Sequence, residues 1–198
     1  MKDTLLEIPE IYEHLASHFM EIPIDLRENL SQLLLKKSNL ESHVLEETEV
    51  LLGVKLPESL KQMILEYDFG DLTLGAVWFG RKETYLEYLV KYNTYRKGFL
   101  NWWGSIDRPT NLLVVADSDG YVVLINTDSG KIVAFDRNES YNKTQVVAND
   151  FKLFFQGIAT IDIRYRNGRD KELIYNIPLV VGSFNENKFW QEIMIEDE

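Results

Sequence analysis

The residues best equipped for chemistry are Asp117 and Asp119, in the run LLVVADSDGYVVL from Leu112 to Leu124. An apolar strand that ends in Asp-x-Asp-Gly can present one carboxylate as a nucleophile toward a phosphate ester. The second then serves as acid and base, with Mg²⁺ bound nearby. The same acids suggest a calcium loop, because Asp117, Asp119 and Asp128 stand at offsets one, three and twelve. That loop needs glycine at its sixth position and a bidentate Glu at its twelfth, and here Val122 and Asp128 occupy them. A tight turn accounts for Asp119-Gly120 without catalysis, since both residue types suit turn backbones.

The Asp-x-Asp-Gly wording resembles the first motif of haloacid-dehalogenase-type phosphatases, and three features oppose that reading. Tyr121 stands where that family has Thr or Val. The residues after Gly120 alternate into another strand, whereas the chemistry needs a loop there. The motif also falls past mid-chain, leaving little room for the later lysine and metal-binding acids. His14 and His18, at i and i+4, have a spacing that can chelate zinc on a helix. The chain has no cysteine, only His43 as a further histidine, and no HExxH pattern. No hydrolase elbow surrounds a serine. No enzyme activity, metal or cofactor is expected.

Two clusters point to binding. Arg164, Arg166, Arg169 and Lys171, with Tyr165 among them, could grip phosphates and stack a base. Asp162, Asp170 and Glu172 interleave with them and favour a self-paired surface. Trp102 and Trp103, with Trp78 and Tyr121, could form an aromatic hot spot. Adjacent tryptophans cannot easily bury in one direction, so one is expected to pack inward and the other to stay accessible.

The net charge of −11 bounds the partner. Residues 1–50 hold 4 Lys/Arg against 11 Asp/Glu, whereas residues 51–110 hold 8 against 7. An acidic chain repels a phosphate backbone and steers basic proteins toward itself. The opening MKDTLLEIPE lacks the basic start and apolar core of a signal peptide. No run approaches the roughly 20 apolar residues of a membrane helix. Together with the absent cysteine, this leads us to expect a cytoplasmic protein that binds neither membrane nor nucleic acid.

The elements that must position these residues follow from periodicity. Ile11, Leu15, His18 and Phe19 predict a helix, and Leu26, Leu30, Leu33 and Leu34 a second one ending at Lys36-Lys37. In Val44–Gly70, VLEETEVLLGVKLPESLKQMILEYDFG, two short helices join through Gly53 and Pro57. Val44, Leu45, Thr48, Leu51 and Leu52 mark the buried stripe of the first, with Glu46, Glu47 and Glu49 facing away. Leu60, Met63, Ile64 and Tyr67 mark that of the second. LTLGAVWF predicts a strand, and Thr84 with Glu87 a capping box that opens a helix to about Lys97. Leu112–Ala116, Tyr121–Asn126 and Lys131–Asp136 predict a meander covered on both faces, with turns at Asp119-Gly120 and Asp128–Gly130. Asn149–Gly157 predicts a helix with Phe151, Phe154 and Phe155 inward. IDIRYRN and ELIYNIPLVV read as strands around Asn167–Asp170. A two-residue loop would oppose Ile163 to Glu172, so a longer loop or no hairpin is expected. Lys188–Ile195 predicts a last helical turn or two.

The wording E-x-x-LG-x-x-LP-x-x-hK-x-h-h, with h apolar, carries Glu49, Leu52, Gly53, Leu56, Pro57, Leu60 and Lys61. It resembles the opening of the SUKH superfamily, which includes fungal cell-wall regulators and bacterial toxin-immunity proteins. The order of elements matches that superfamily over residues 41–160. Asp68-Phe69-Gly70-Asp71 stands where many members have Asn-Gly after the second helix. The resemblance implies an α+β fold with a mostly antiparallel sheet and packed helices. Residues 1–40 would form a helical extension, 41–160 the SUKH-like domain and 161–198 an extension packed on it.

The resemblance further implies a non-enzymatic binding module. Because the chain lacks the long arms of fungal members, the bacterial reading is preferred: an immunity protein that occludes a basic, nuclease-type toxin. A scaffold or regulatory module unrelated to toxins is the alternative. The partner surface expected from the residues is Trp102, Trp103, Asp117, Asp119, Tyr121 and Asp128, on a monomer or weak homodimer.

Overall fold

A computed structural model describes residues 5–28, 30–81, 83–94, 102–103, 108–168, 172–184 and 187–193, with backbone only for 165–168. Its elements are α1 (Ile8–Glu21), α2 (Ile24–Arg27), β1 (Lys36–Lys37), α3 (Ser42–Leu52), α4 (Glu58–Glu66) and β2 (Tyr67–Asp68). They continue through β3 (Thr73–Leu74), β4 (Val77–Trp78), α5 (Tyr85–Thr94), β5 (Leu112–Asp117), β6 (Tyr121–Asn126) and β7 (Ile132–Asp136). The last are β8 (Gln145–Ala148), α6 (Phe151–Gly168), α7 (Leu173–Val180) and α8 (Lys188–Glu192).

The fold is α+β. Strands β3 to β8 form an antiparallel sheet in sequence order, and β1 pairs with β2 in a separate ribbon. Every residue from Leu113 to Asp117 and from Tyr121 to Ile125 is buried, so these central strands are covered on both faces. Along β5, pairing with β4 is confined to Asp117 and Trp78. Side chains satisfy part of the remaining edge. Asn93 of α5 accepts from the Val114 N–H at 2.7 Å and donates to its carbonyl at 2.9 Å. The Tyr85 hydroxyl donates to the carbonyl of Val115, which sits in a register shift opposite β6. Arg108 donates to Leu112 and to the last carbonyl of α3, at Leu52. A buried edge with unpaired amides is costly, and these contacts reduce that cost.

The helical hairpin forms where its pattern predicts. Gly53 closes α3 at φ 70°, a left-handed conformation that glycine adopts without strain. Leu60, Met63 and Ile64 are buried. Two residues of α3 depart from the expected faces: Glu49 points inward instead of away, and Leu51, expected on the buried stripe, is 65% exposed, beside Val50 at 80%. Farther along, Gly70 and Gly80 cross in van der Waals contact. A Cβ on Gly80 would lie 1.8 Å from the Gly70 carbonyl oxygen, so no larger residue fits. Phe69 and Phe79 flank the crossing and pack on Phe155, at 5.1 and 5.5 Å between ring centres.

Four further expectations change. LTLGAVWF is a hairpin rather than one strand, because Gly75 takes φ 54° between β3 and β4. Lys36 and Lys37 lie in a strand and not at the end of a helix, since the chain leaves helix after Arg27 except for a 3-10 turn at Ser31–Leu33. The meander has a fourth strand beyond the three expected: β8 follows the polar loop from Asp136 to Thr144 and pairs antiparallel with β7. Finally, IDIRYRN and ELIYNIPLVV are helical. Helix α6 continues through Gly157, which does not cap it but makes room for Trp190; a Cβ there would lie 2.9 Å from the indole. Ile158, Ala159, Thr160 and Ile161 are all fully buried, a continuous run that fits a helix covered on all sides and not the alternation of a half-buried strand. Residue 160 therefore falls inside a helix. The predicted end of α5 near Lys97 and the cations Arg169 and Lys171 lie outside the described residues.

Candidate functional site

A cleft of about 920 Å³ opens between the N-terminal segment and the glycine crossing. Glu28, Ser31 and Lys36 form one wall, and Asp68, Asp71, Trp78, Arg81, Glu83 and Thr84 the other, with Asp119 at the rim. Five carboxylates thus face one lysine and one arginine. The fold fixes several of them. Asp68 accepts the N–H of Gly70 at 3.0 Å and that of Tyr85, at the start of α5, at 2.9 Å. Asp71 accepts the Ser31 hydroxyl at 2.5 Å and joins the two walls. Glu83 pairs with Lys91 at 2.8 Å. Glu28 and Asp119 remain exposed.

Beside this cleft the Asp117 side chain is fully buried. One of its oxygens lies 3.3 Å from Arg81 and 3.1 Å from Arg137. Burial pushes its carboxyl up, against the pull of the two guanidiniums. Arg137 also donates to the Ser118 carbonyl at 2.7 Å and lies 4.4 Å over the Trp102 ring. Arg81, half-exposed, stacks at 5.1 Å over Trp78. The buried aspartate therefore holds the two arginines and, through Ser118, the β5–β6 turn that carries Asp119.

The structure divides the six residues expected to form one partner surface. Asp117, Trp103 and Tyr121 are buried and are not available at the surface. Trp103 packs edge-on against Tyr141, and the Tyr121 hydroxyl donates to Glu192 at 2.6 Å. Asp117 ends β5 and is held inward by Arg81 and Arg137, whereas Asp119 and Asp128 stand in turns beyond the strands and stay exposed. Trp102 is half-buried under Arg137. Asp119 and Asp128 are both exposed, but they stand in turns at opposite ends of β6. Six extended residues separate them by about 20 Å. Only Asp119 joins the acidic cleft.

The other motifs resolve as follows. His14 and His18 are exposed on α1, and His18 lies 3.6 Å from Glu21. Among the described residues no group of three or more His, Cys, Asp or Glu side chains is arranged to hold a metal ion. Among them, too, no helix is long and apolar enough to cross a membrane. Asp162 is buried and accepts the Gly75 N–H at 3.0 Å.

Sequence reasoning missed the role of Glu49. Its carboxylate is 2% exposed and binds Lys55 at 2.6 Å, Lys61 at 2.7 Å and the Leu56 N–H at 2.8 Å. Burial alone would raise its pKa, but these three donors together hold it at about 2. The signal was present in the spacing of Glu49, Gly53, Pro57 and Lys61. A family model matches the chain over residues 40–157. The chain belongs to the SMI1 / KNR4 family (SUKH-1). The match covers the hairpin, the meander and the first part of α6, so the acidic cleft is built largely from SUKH residues. Glu28, Ser31 and Lys36 come from outside it. No curated protein matches the chain. SUKH domains are protein-binding modules, and the geometry here is one of fixed charges around an open cleft.

Proposed function

We propose that this SUKH protein is an immunity protein. It binds a basic, nuclease-type toxin and occludes it, without catalysing a reaction. The observation that carries the reading is the acidic cleft, in which five carboxylates converge on one opening against two cations. Carboxylates fixed at that spacing can take lysine and arginine side chains that would otherwise grip a phosphate backbone. The net charge of −11 adds long-range attraction. Burial of Asp117 between two arginines supports the non-enzymatic reading, because a nucleophile must reach its substrate.

The test is co-expression with the product of the adjacent open reading frame. Growth arrest by that product, relieved by this chain and paired with co-purification, is the expected result. A stable complex with a non-toxic cellular protein, and no rescue, would replace immunity with a scaffold or regulatory role.

A further inference from the structure

A second concavity adjoins the acidic cleft. It measures about 600 Å³, within the range of about 300–1,000 Å³ typical of ligand pockets. Its walls are apolar: Val44 and Leu51 of α3, Ile64 of α4, and Leu86 and Val90 of α5. Asp68 and Thr84 line both concavities, so the two form one continuous surface. Leu51, 65% exposed, extends the apolar wall outward.

The mouth is acidic. Glu87 and Asp68 line it, and Glu47 stands three residues from Val44 and four from Leu51, on the same face of α3. Lys37 also lines it, with its ammonium 4.0 Å over the Tyr67 ring and 3.2 Å from Glu66, while Glu87 and Asp68 are held by the N–H groups of Thr84, Gly70 and Tyr85 and keep their negative charge. A mostly apolar pocket whose mouth sets Glu87, Asp68 and Glu47 against one lysine favours an apolar side chain flanked by positive charge. Interface anchors are bulky side chains that fill such desolvated pockets. This chain does not offer Trp103 or Tyr121 for that purpose, since both are buried.

We infer that this pocket is the anchor site of the partner interface, taking a bulky apolar side chain from a lysine- or arginine-rich segment of a protein partner. The inference rests on the protein-binding reading above and assigns the anchor to the partner and the socket to this chain.

The probe is the pentapeptide Lys-Lys-Trp-Lys-Lys, blocked at both ends, titrated into methyl-labelled full-length protein. A Ser-centred version and a version with Glu flanks are the controls. The Trp peptide should shift the methyl resonances of Val44, Leu51, Ile64 and Val90, and the Ser peptide should not. Leu51→Gln, at an exposed position, and Val44→Gln should each weaken the Trp peptide at least about five-fold and leave the Ser peptide unchanged. Equal binding of Trp and Ser peptides, shifts that map away from α3 and α5, or equal binding of the Glu-flanked version would overturn the inference. Docking without growth rescue keeps the socket and removes the immunity role. Rescue by a protein whose pocket takes no peptide overturns the socket alone.

Discussion

Glu49 and Lys61 lie 2.7 Å apart, and they are the acid that opens the SUKH wording and the lysine near its end. The carboxylate leaves α3 inward, crosses the Gly53–Pro57 connection and meets the first turns of α4. There it also accepts the Leu56 N–H, at a helix start whose own cap, Pro57, supplies no side-chain bond. The spacing of four fixed letters thus encodes a closed electrostatic joint.

That joint should make stability depend on acid. The Glu49 carboxyl is depressed in the folded state, so its contribution is complete above the unfolded value near 4.5. It is lost as pH falls from there through about 2. A shift of that size corresponds to about 3 kcal/mol. Lys55 is 83% exposed and screened, so about 2 kcal/mol is the expected measured loss in Glu49→Gln at pH 7. Urea unfolding at a series of pH values checks this. The variant and parent should converge as pH approaches 2, and a constant gap down to that pH would contradict the assignment.

The apolar face of α4 should dominate the stability of the hairpin. Leu60 is fully buried, and truncating a buried leucine costs about 2–5 kcal/mol. Leu60→Ala should lower the thermal midpoint clearly, whereas Leu51→Ala, at a 65% exposed position, should change it little. Equal effects would mean that the two faces are misassigned.

Most of the fold was legible wherever one period ruled a segment. The meander strands, the α4 face, the Thr84–Glu87 capping box and the inward phenylalanines of α6 follow from periodicity and caps. Legibility failed where tertiary contact overrode local rules. Gly157 reads as a helix stop but is a notch for Trp190. Glu49 reads as a surface acid but is paired with two lysines outside its own helix, Lys55 in the connection and Lys61 in α4. The partner surface was the least legible. Asp117, Asp119 and Asp128 look equivalent in a list of turn acids, yet one is internal and the other two lie at opposite ends of a strand. The acidic cleft draws Glu28 and Asp119 together across some ninety positions, a proximity that only the folded chain supplies.

Purified protein should hydrolyse no phosphate monoester with Mg²⁺ present. Asp117 would have to leave Arg81 and Arg137 to act as a nucleophile, and its side chain is fully buried. A steady-state assay with a chromogenic phosphate ester checks this. Turnover that disappears in Asp117→Asn would restore the phosphatase reading.

The acidic cleft should set how fast a basic partner is met. Charges at the rim act on encounter before contact, and their reach is set by the Debye length, about 8 Å at 0.15 M salt. Glu28 and Asp119 are the exposed carboxylates of the cleft. Replacing them, as Glu28→Gln with Asp119→Asn, should slow association with the captured partner by roughly two- to five-fold at low salt, with little change in dissociation. The difference should shrink as salt rises past about 0.15 M. Asp128→Asn is the internal control. It removes the same charge, but at the far end of β6, where Asp128 accepts a hydrogen bond from Asn111. If attraction came only from net charge, all single neutralisations would act alike. If the cleft is the receiving surface, Asp119→Asn slows association and Asp128→Asn leaves it close to the parent. Stopped-flow association rates of the single variants at two salt concentrations separate these outcomes. Equal rates for Asp119→Asn and Asp128→Asn would move the interface away from the cleft.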